Sequence, residues 1–234
     1  MASEHPELAI FTALKEEYAA VERSLPSPHP RMVVLRGGVG PASAAAAATT
    51  LLAQQPRTIV SCGFCGGLAA APKLGDVILA EKVIDGSGDG PDINCDPALL
   101  KSWQAALGSA GVAVHVGPLA SVTAAVTTCD GKRNLGQRCS AIAVDMESYA
   151  IARQAGKAGV PVMVLRVISD TADDALPPEI GGFLDEKGNV RATQIAKFVL
   201  KGPRNIRTLM TLKARSDRAV ATLQACWKAL AALK

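Results

Sequence analysis

Residues 58–67 read TIVSCGFCGG, in which the apolar, β-branched start Thr58–Cys62 runs directly into glycine-rich sequence. A short apolar run bounded by glycine is typical of a strand that is buried on both faces, and such strands form parallel sheets. Similar runs occur at Leu8–Ala13, Met32–Leu35 and Val162–Val167. Stretches of helical character separate them. This alternation predicts an α/β fold with three layers, α/β/α, around a mostly parallel, mixed central sheet.

The other elements extend this pattern along the chain. The nearly all-alanine run Ala42–Gln54 is predicted to be a helix that begins near Pro41. Further helices are predicted at Lys15–Leu25, Leu99–Ala110 and Met146–Ala158, and further strands at Val77–Ala80, Val112–Val116 and Ala141–Val144. One or two basic helices should follow Pro177 and Pro178. We therefore expect a single domain, residues 1–234, with a basic C-terminal helical extension over residues 177–234.

Composition restricts the class of protein. Hydrophobic residues make up 49% of the chain and aromatic residues only 3%, so we expect a core of Ala, Val, Leu and Ile. No unbroken apolar stretch reaches the roughly 18 residues typical of a membrane span. The first residues lack the basic region and cleavage pattern of a signal peptide. These observations predict a cytoplasmic protein whose six cysteines are reduced thiols.

Charge is distributed unevenly. Residues 191–234 contain ten Lys or Arg and one acid, whereas the rest of the chain contains 15 basic and 20 acidic residues. A basic tail can contact nucleic acid, an anionic membrane or an acidic substrate, or it can form a solvated helix face. We expect no nucleic-acid binding, because the tail offers only Phe198 and Trp227 for stacking and the body is acidic.

Three acidic positions lie just past predicted strands: Glu17, the run Asp145-Met146-Glu147, and Asp170. Any one of them could be a helix-capping or surface acid. In open α/β sheets, however, ligands bind at the carboxyl ends of the strands, so these carboxylates are expected to meet in one pocket. Carboxylates that share a cleft can take different roles in acid–base chemistry.

Other motifs do not indicate a metal or a cofactor. The three histidines are scattered, so we predict no metal site. Cys62 and Cys65 form a C-x-x-C, but Gly66 follows at once instead of the helix that a thioredoxin-type site precedes. Residues 37–40 match only part of a dinucleotide fingerprint.

Six segments, taken in order, resemble the nucleoside phosphorylase superfamily, and most of all its methylthioadenosine/S-adenosylhomocysteine nucleosidases. They are Ala13–Glu17, Gly37–Gly40, Gly63–Leu68, Leu74–Val77, Val144–Ser148 and Arg166–Asp170. Each segment is weak evidence alone, but six segments in sequence order are strong evidence, and the match as a whole spans roughly residues 8–174. The resemblance implies a nucleoside phosphorylase-like fold and an enzyme that cleaves the N-glycosidic bond of a purine nucleoside, releasing adenine.

The resemblance also implies roles for the matched residues. Asp170 would share a proton with purine N7, and Glu17 would position or deprotonate the attacking water. Glu147 would bind the ribose hydroxyls while Met146 packs against the sugar. An acid at the leaving base and an anion near the oxocarbenium-like sugar both favour the transition state. The rest of the substrate site would comprise Val39, Gly40, Phe64, Cys65, Gly66, Asp145 and Ser169.

Two departures from the family bear on the nucleophile. Phosphorylases of this superfamily place Arg near Ser61 and Ser near Phe64 as phosphate ligands, and both are absent here. Their absence favours water. Phosphate stays open as a co-substrate, because Lys15, Arg36 or a partner subunit could supply a site for it. The segment Ser121–Cys129 lacks the usual Phe-rich loop, so the pocket for the 5′-substituent is expected to differ.

The C-terminal portion resembles the hopanoid-associated branch of the superfamily, which is linked to removal of adenine from adenosylhopane. That branch implies a lipid-linked nucleoside and peripheral contact with the anionic inner face of the membrane. The basic residues that would make this contact are Lys197, Lys201, Arg204, Arg207, Lys213, Arg215 and Arg218. Leu209, Met210, Leu212, Val220 and Leu223 are expected to contact the core, although they could instead insert at the membrane interface.

Three further expectations concern the oligomeric state, the substrate and a function without catalysis. Relatives form dimers or larger rings, so the resemblance implies a homo-oligomer. Methylthioadenosine/S-adenosylhomocysteine nucleosidase activity is the alternative substrate assignment. A lipid- or nucleoside-binding protein without activity is the alternative outside enzymes, although a binder has no need of Glu17, Glu147 and Asp170 together.

Overall fold

The computed structural model describes residues 5–29 and 31–233, and within them an eight-stranded sheet is packed between helices. The strands are β1 (Leu8–Thr12), β2 (Met32–Arg36), β3 (Thr58–Gly67), β4 (Val77–Asp85), β5 (Ile93–Asn94), β6 (Val114–Ser121), β7 (Ala143–Asp145) and β8 (Val162–Asp170). The helices are α1 (Lys15–Glu22), α2 (Pro41–Leu52), α3 (Pro97–Ser109), α4 (Cys129–Cys139), α5 (Ser148–Ala158), α6 (Ala192–Leu200) and α7 (Pro203–Ala231). A 3₁₀ turn occupies Pro178–Gly182.

The sheet is mixed, and parallel pairs predominate. Its order is β2-β1-β3-β7-β6-β4-β5, and β8 pairs with both β3 and β4. The β1–β2, β1–β3, β3–β8, β4–β6 and β6–β7 pairs are parallel, whereas β3–β7, β4–β5 and β4–β8 are antiparallel. The predicted three-layer α/β fold with a mostly parallel mixed sheet is therefore confirmed.

Two of the long strand pairings contain a shift in register. The β3–β8 pairing shifts between Cys65 and Gly66, and the β4–β6 pairing shifts between Ala80 and Val83. Such irregularities kink a strand and increase its twist. They let β3 pair with β8 along most of its length and with β7 at its end. The shift in β3 lies beside Gly66 and Asp170, at the edge of the sheet where the candidate site residues collect.

Helix α7 packs against α1, α3 and β8, so the basic C-terminal helices are attached to the core. The Trp227 side chain is fully buried, meets Trp103 edge-on at a centroid distance of 5.8 Å, and donates a 3.2 Å hydrogen bond from Nε1 to Cys62 Sγ. Leu223 is buried, as expected, but Met210 is 67% exposed. Met210 therefore does not contact the core, and insertion at an interface is the alternative that stays open for it.

The predicted elements are present, and most strands are longer than predicted. β3 continues through Gly67 and β8 through Asp170, because strand pairing carries the backbone past the last β-branched residue. Two elements were not predicted, namely β5 and α4. Of the described residues, no helix is both long and apolar enough to cross a membrane. All six cysteines are free thiols.

Candidate active site

A cavity of about 180 Å³ opens at the carboxyl ends of β1, β3, β7 and β8. It is lined by Ala13, Leu14, Glu17, Val39, Phe64, Cys65, Gly66, Val122, Ala125, Val126, Val144, Asp145, Met146, Glu147, Ser169, Asp170, Leu176 and Leu184. Of the residues named from the sequence for catalysis or substrate binding, all but Gly40 are in this lining, and Gly40 instead donates its amide to Glu147. Neither Lys15 nor Arg36, the residues considered for phosphate, lines the cavity. The structure therefore brings together carboxylates that lie far apart in the sequence.

Glu17 is held by three backbone N–H groups. Its Oε2 accepts 2.9 Å hydrogen bonds from the amides of Ala13 and Leu14, and its Oε1 accepts a 2.8 Å bond from the amide of Phe64. Burial raises the pKa of the Glu17 carboxyl above its ordinary value, while Arg166 and these three hydrogen bonds act in the opposite direction. A fixed carboxylate with raised proton affinity is suited to act as a general base.

Glu147 is held by the N-terminal end of α2. Its Oε1 accepts a 2.9 Å hydrogen bond from the amide of Gly40, the N-cap of that helix. Gly40 has φ +88°, a conformation that side-chain-bearing residues rarely adopt. Burial raises the pKa of Glu147 to about 7; Arg166 opposes this rise and the nearby Asp145 adds to it. The carboxyl therefore changes charge near neutral pH.

A buried arginine lies behind these two carboxylates. Arg166, which is fully buried, places Nη2 2.6 Å from Asp145 Oδ2 and 3.7 Å from Glu147 Oε2. The same nitrogen donates to the hydroxyls of Ser61 and Ser148 at 2.8 and 3.0 Å. Burial disfavours its charge, but Asp145, Glu147 and Glu17 together raise the pKa of Arg166 above its ordinary value. The guanidinium therefore balances part of the negative charge of the site.

Asp145 binds both Arg166 and Ser148, the first residue of α5. Its oxygens accept hydrogen bonds from the hydroxyls of Ser121 and Ser148, and also from the amide of Ser148. With Arg166 added, both oxygens are fully engaged within the protein. Asp145 lines the cavity as expected, but its contacts are those of a residue that orients its neighbours.

Gly63 makes room for Glu17 and Arg166 to approach each other. A Cβ at this position would lie 2.5 Å from Glu17 Oε1 and 2.7 Å from Arg166 Nη1, closer than real Cβ contacts allow. A side chain here would therefore displace one of the two charged groups. Close approach to a functional group is a typical reason for glycine within a strand.

Asp170 ends β8 beside a buried lysine that was not among the residues selected from the sequence. Lys132, on α4, is fully buried and forms an ion pair with Asp170 Oδ2. Its Nζ also donates 2.8 Å hydrogen bonds to the carbonyl oxygens of Thr171 and Asp174. The other oxygen, Oδ1, accepts a 2.8 Å bond from Ser169 Oγ. Lys132 and Arg166 are thus the two cations of the site.

Neither cation could be recognised from sequence. Arg166 stands in the apolar strand β8, and its partners Asp145 and Glu147 belong to a distant segment. Lys132 stands in a polar, glycine-containing stretch that had no predicted element. The one signal that could have singled out Arg166 is a charged residue inside an apolar strand, since a buried charge needs partners.

A groove of about 400 Å³ opens directly from the cavity. The two share Leu14, Phe64, Ser169, Asp170, Leu176 and Leu184. Beyond these the groove is lined mainly by apolar side chains from the 3₁₀ turn, α6 and α7, including Ile180, Phe183, Ile195, Leu209 and Leu212. Glu16, Lys213, Arg215 and Ser216 also line it. A mainly apolar channel thus leads away from the carboxylates.

The remaining candidate chemistry has little support in the structure. Cys62 and Cys65 are buried, and burial raises the pKa of the Cys62 thiol to about 12, so it is not a reactive thiolate at neutral pH. Within residues 5–29 and 31–233, no three His, Cys, Asp or Glu side chains cluster as a metal site would require.

Comparison with known proteins gives a consistent result. A family model described as "Phosphorylase superfamily" matches residues 28–201. A 5′-methylthioadenosine/S-adenosylhomocysteine nucleosidase from an Exiguobacterium strain is 28% identical over 190 residues, which cover 73% of this chain and 80% of that protein.

Two solved structures share the fold at low sequence identity. The first is the 5′-methylthioadenosine/S-adenosylhomocysteine nucleosidase of Neisseria meningitidis in complex with methylthio-immucillin-A: TM-score 0.74, 18% identity, 97% of this chain and 99% of that chain covered. The second is the futalosine hydrolase of Helicobacter pylori: TM-score 0.73, 19% identity, 96% and 97% covered. The superfamily and fold identified from the six segments are confirmed.

Proposed function

Because the chain belongs to the phosphorylase superfamily, we propose that it is an enzyme that hydrolyses the N-glycosidic bond of an adenosine-like purine nucleoside. The convergence of Glu17, Glu147 and Asp170 on one cavity carries this proposal. The similarity to nucleosidases that act on 5′-modified adenosines supports the same class of substrate.

Each of the three carboxyl groups has a different role in the proposed reaction. The C1′–N9 bond breaks and its electron pair moves into the purine, while protonated Asp170 transfers its proton to N7 and becomes a carboxylate. Glu147 accepts hydrogen bonds from the ribose hydroxyls. Water adds to C1′ of the oxocarbenium-like sugar and transfers a proton to Glu17. Positive charge develops on the sugar and negative charge on the departing purine. A carboxylate near the sugar and an acid near the purine therefore lower the barrier.

Water is proposed as the nucleophile because the cavity is acidic. Of the described residues, four carboxylates and no Lys or Arg line it. The nearby Arg166 is already engaged by Asp145 and Glu147. Arg36, one of the residues considered for phosphate, instead donates a 3.3 Å hydrogen bond to Asn189 Oδ1. A phosphate dianion would therefore meet several carboxyl groups and no Lys or Arg side chain in the lining of this cavity. No cofactor enters the proposed reaction.

The apolar groove supports a substrate with a long apolar substituent, as in adenosylhopane. A chain attached to the nucleoside can leave the cavity past the apolar side chains of Leu14, Phe64 and Leu176, which line both spaces. Burying it there is favourable by roughly 0.8 kcal/mol per methylene. A small 5′-substituent would leave most of the groove unused.

We also propose that the outer face of α6 and α7 contacts an anionic membrane. Leu200, Ile206 and Met210 are exposed there by 85, 46 and 67%. Lys197, Arg204 and Arg207 on the same helices form no ion pair with any residue that the structure describes. Exposed apolar side chains beside unpaired basic ones are typical of interfacial helices. Such contact would place a cytoplasmic enzyme at the inner membrane face.

A homo-oligomer is proposed on the basis of a second surface. A depression of about 610 Å³ lies next to the cavity and shares Val122 and Met146 with it. A second copy seated there would reach the sugar end of the site. Light scattering coupled to gel filtration tests this, and a monomer at micromolar concentration would contradict it.

Release of free adenine tests the proposed function. Adenosine, methylthioadenosine and a 5′-decyl-5′-deoxyadenosine are incubated with the enzyme, with and without phosphate. We expect adenine without phosphate, and faster release from the decyl substrate at subsaturating concentration. Adenine that appears only with phosphate would make the enzyme a phosphorylase. Tight binding of all three without cleavage would favour the non-catalytic alternative.

A further inference from the structure

Lys132 is a buried charged residue that the proposed mechanism does not use. Its side chain is 1% exposed and is absent from the lining of the cavity. Isolated lysines are almost never buried this completely unless they are paired, because the charge must leave water. The position of Lys132 therefore calls for an explanation in terms of its partners.

Those partners account for all three ammonium protons. One is donated to Asp170 Oδ2 and two to the carbonyl oxygens of Thr171 and Asp174, at 2.8 Å each. An ammonium has three donors and no acceptor, so Lys132 is fully satisfied in this position. It links the end of β8 to the segment that follows and fixes Oδ2 of the carboxyl as a hydrogen-bond acceptor.

The other oxygen of Asp170 has a partner that can adapt. Ser169 Oγ lies 2.8 Å from Asp170 Oδ1 and 3.2 Å from the carbonyl oxygen of Cys65. A hydroxyl has one proton and can rotate. It donates to Oδ1 when Asp170 is ionised, and it can donate to Cys65 while accepting from Oδ1 when that oxygen carries a proton. Oδ1 alone can therefore take up or release a proton without breaking the lysine contact.

We propose that Lys132 is a positioning residue for glycosidic cleavage: by holding Oδ2 of Asp170, it assigns proton exchange with the purine to Oδ1. This inference rests on the proposed function, since it concerns the same leaving-group step. Lys132 acts through Asp170 and does not touch the substrate. Its loss would leave the carboxyl free to turn, and misplacement of a reacting group by about 1 Å can cost about 100-fold in rate.

The test compares three variants on adenine release. Lys132→Met keeps an unbranched side chain without the charge, Lys132→Arg keeps the charge, and Lys132→Ala leaves space for an added amine. Lys82→Ala is the matched control, because Lys82 forms an exposed ion pair with Asp92 at 2.7 Å, outside the cavity and the groove. Thermal unfolding and KM are measured for each variant beside kcat.

We expect Lys132→Met to lower kcat by about 10- to 100-fold with KM within about threefold, since binding groups are untouched. Lys132→Arg should keep more activity than Lys132→Met, and ethylamine should restore part of the kcat of Lys132→Ala. Unchanged kcat in folded Lys132→Met would overturn the inference, as would equal losses in the Met and Arg variants. If Lys132→Ala does not fold, the Met and Arg pair decides alone.

The proposed function and this inference fail in different ways. No adenine release by the wild-type enzyme would remove the proposed function, whatever the variants do. Wild-type activity that survives in Lys132→Met would remove only the role of Lys132. A lower melting temperature with full kcat would make Lys132 a stabilising residue and also overturn the inference.

Discussion

The amide of Gly40 donates a 2.9 Å hydrogen bond to Glu147 Oε1, joining the N-terminal end of α2 to a carboxyl group 107 residues away. This contact fixes one oxygen of Glu147 while the side chain remains part of the cavity lining. It also favours the ionised carboxyl, yet burial outweighs it and raises the pKa of Glu147 to about 7. The charge of the proposed ribose-binding group therefore depends on pH in the neutral range.

The first prediction concerns this pH dependence. As pH falls through about 7, Glu147 gains a proton and loses acceptor capacity, so kcat/KM for adenosine should decrease on the acid side with a midpoint near 7. Above that pH the ionised form is fully present and this effect disappears. Glu147→Gln should have low kcat/KM and lose this limb. A wild-type profile that is flat from pH 5 to 8 would contradict the role of Glu147.

The second prediction concerns Asp170. Asp170→Asn keeps an oxygen that can accept from Lys132 but cannot exchange a proton with the leaving purine, so kcat should fall by about 10²- to 10⁴-fold. Adenine release is measured beside thermal unfolding, because Lys132 loses its counter-charge. The control is Asp173→Asn, whose side chain is 75% exposed and pairs with Arg133. Kinetics equal to wild type would remove Asp170 from the mechanism.

The third prediction separates water from phosphate. Glu17→Gln removes the base that is proposed to accept a proton from water, so hydrolysis should fall by about 10²- to 10⁴-fold. A phosphate dianion needs no such base. Activity that is restored by phosphate in the variant would therefore speak for phosphorolysis. Glu81→Gln makes the same replacement of a carboxylate by an amide at an exposed position on β4, and it serves as the control.

The fourth prediction concerns the groove. For 5′-alkyl adenosines of increasing length, kcat/KM should rise by up to about fourfold per methylene while the chain enters the groove, and then level off. Leu212→Asn should reduce this slope and leave adenosine unaffected. The comparison isolates the groove, because Leu212 is not part of the cavity lining. A slope near zero in the wild-type enzyme would argue against a lipid-linked substrate.

The fifth prediction concerns the membrane face. Lys213 and Arg215 are poor positions for charge reversal, because they pair with Asp217 and Asp174. Arg204→Glu combined with Arg207→Glu reverses charges that have no ion-pair partner within the described part of the chain. We expect this variant to lose co-sedimentation with anionic vesicles and to keep its activity on adenosine. Equal sedimentation of wild type and variant would count against electrostatic attachment, and neutral vesicles provide the baseline.

Sequence patterns predicted the fold and the carboxylates for a physical reason. Strands such as Val162–Val167 are β-branched and continuous, and the parallel arrangement brings their carboxyl ends together. Acidic residues that follow such strands, Glu17 and Asp170 among them, are therefore neighbours in space even though they are distant in sequence.

The parts that could not be predicted depend on tertiary contacts. Helix α4 contains Gly131 and Gly136, which lower helix propensity, and it is held in place by packing and by the Thr128 cap. Without that helix there was no reason to place Lys132 beside Asp170. Arg166 was visible within a matched segment, but its partners became apparent only when β7 and β8 had been placed in the sheet.

The pairing of Trp103 with Trp227 has an optical consequence. These are the two tryptophans of the chain, and both are buried where α7 meets the core. Intrinsic fluorescence therefore reports whether the end of α7 is docked. Met210 lies 17 residues earlier, or about 26 Å along the helix. Vesicle attachment through that outer end should leave the emission wavelength unchanged, whereas unfolding should shift it to the red. A single label-free spectrum therefore distinguishes a folded, membrane-bound enzyme from one that has unfolded on the membrane.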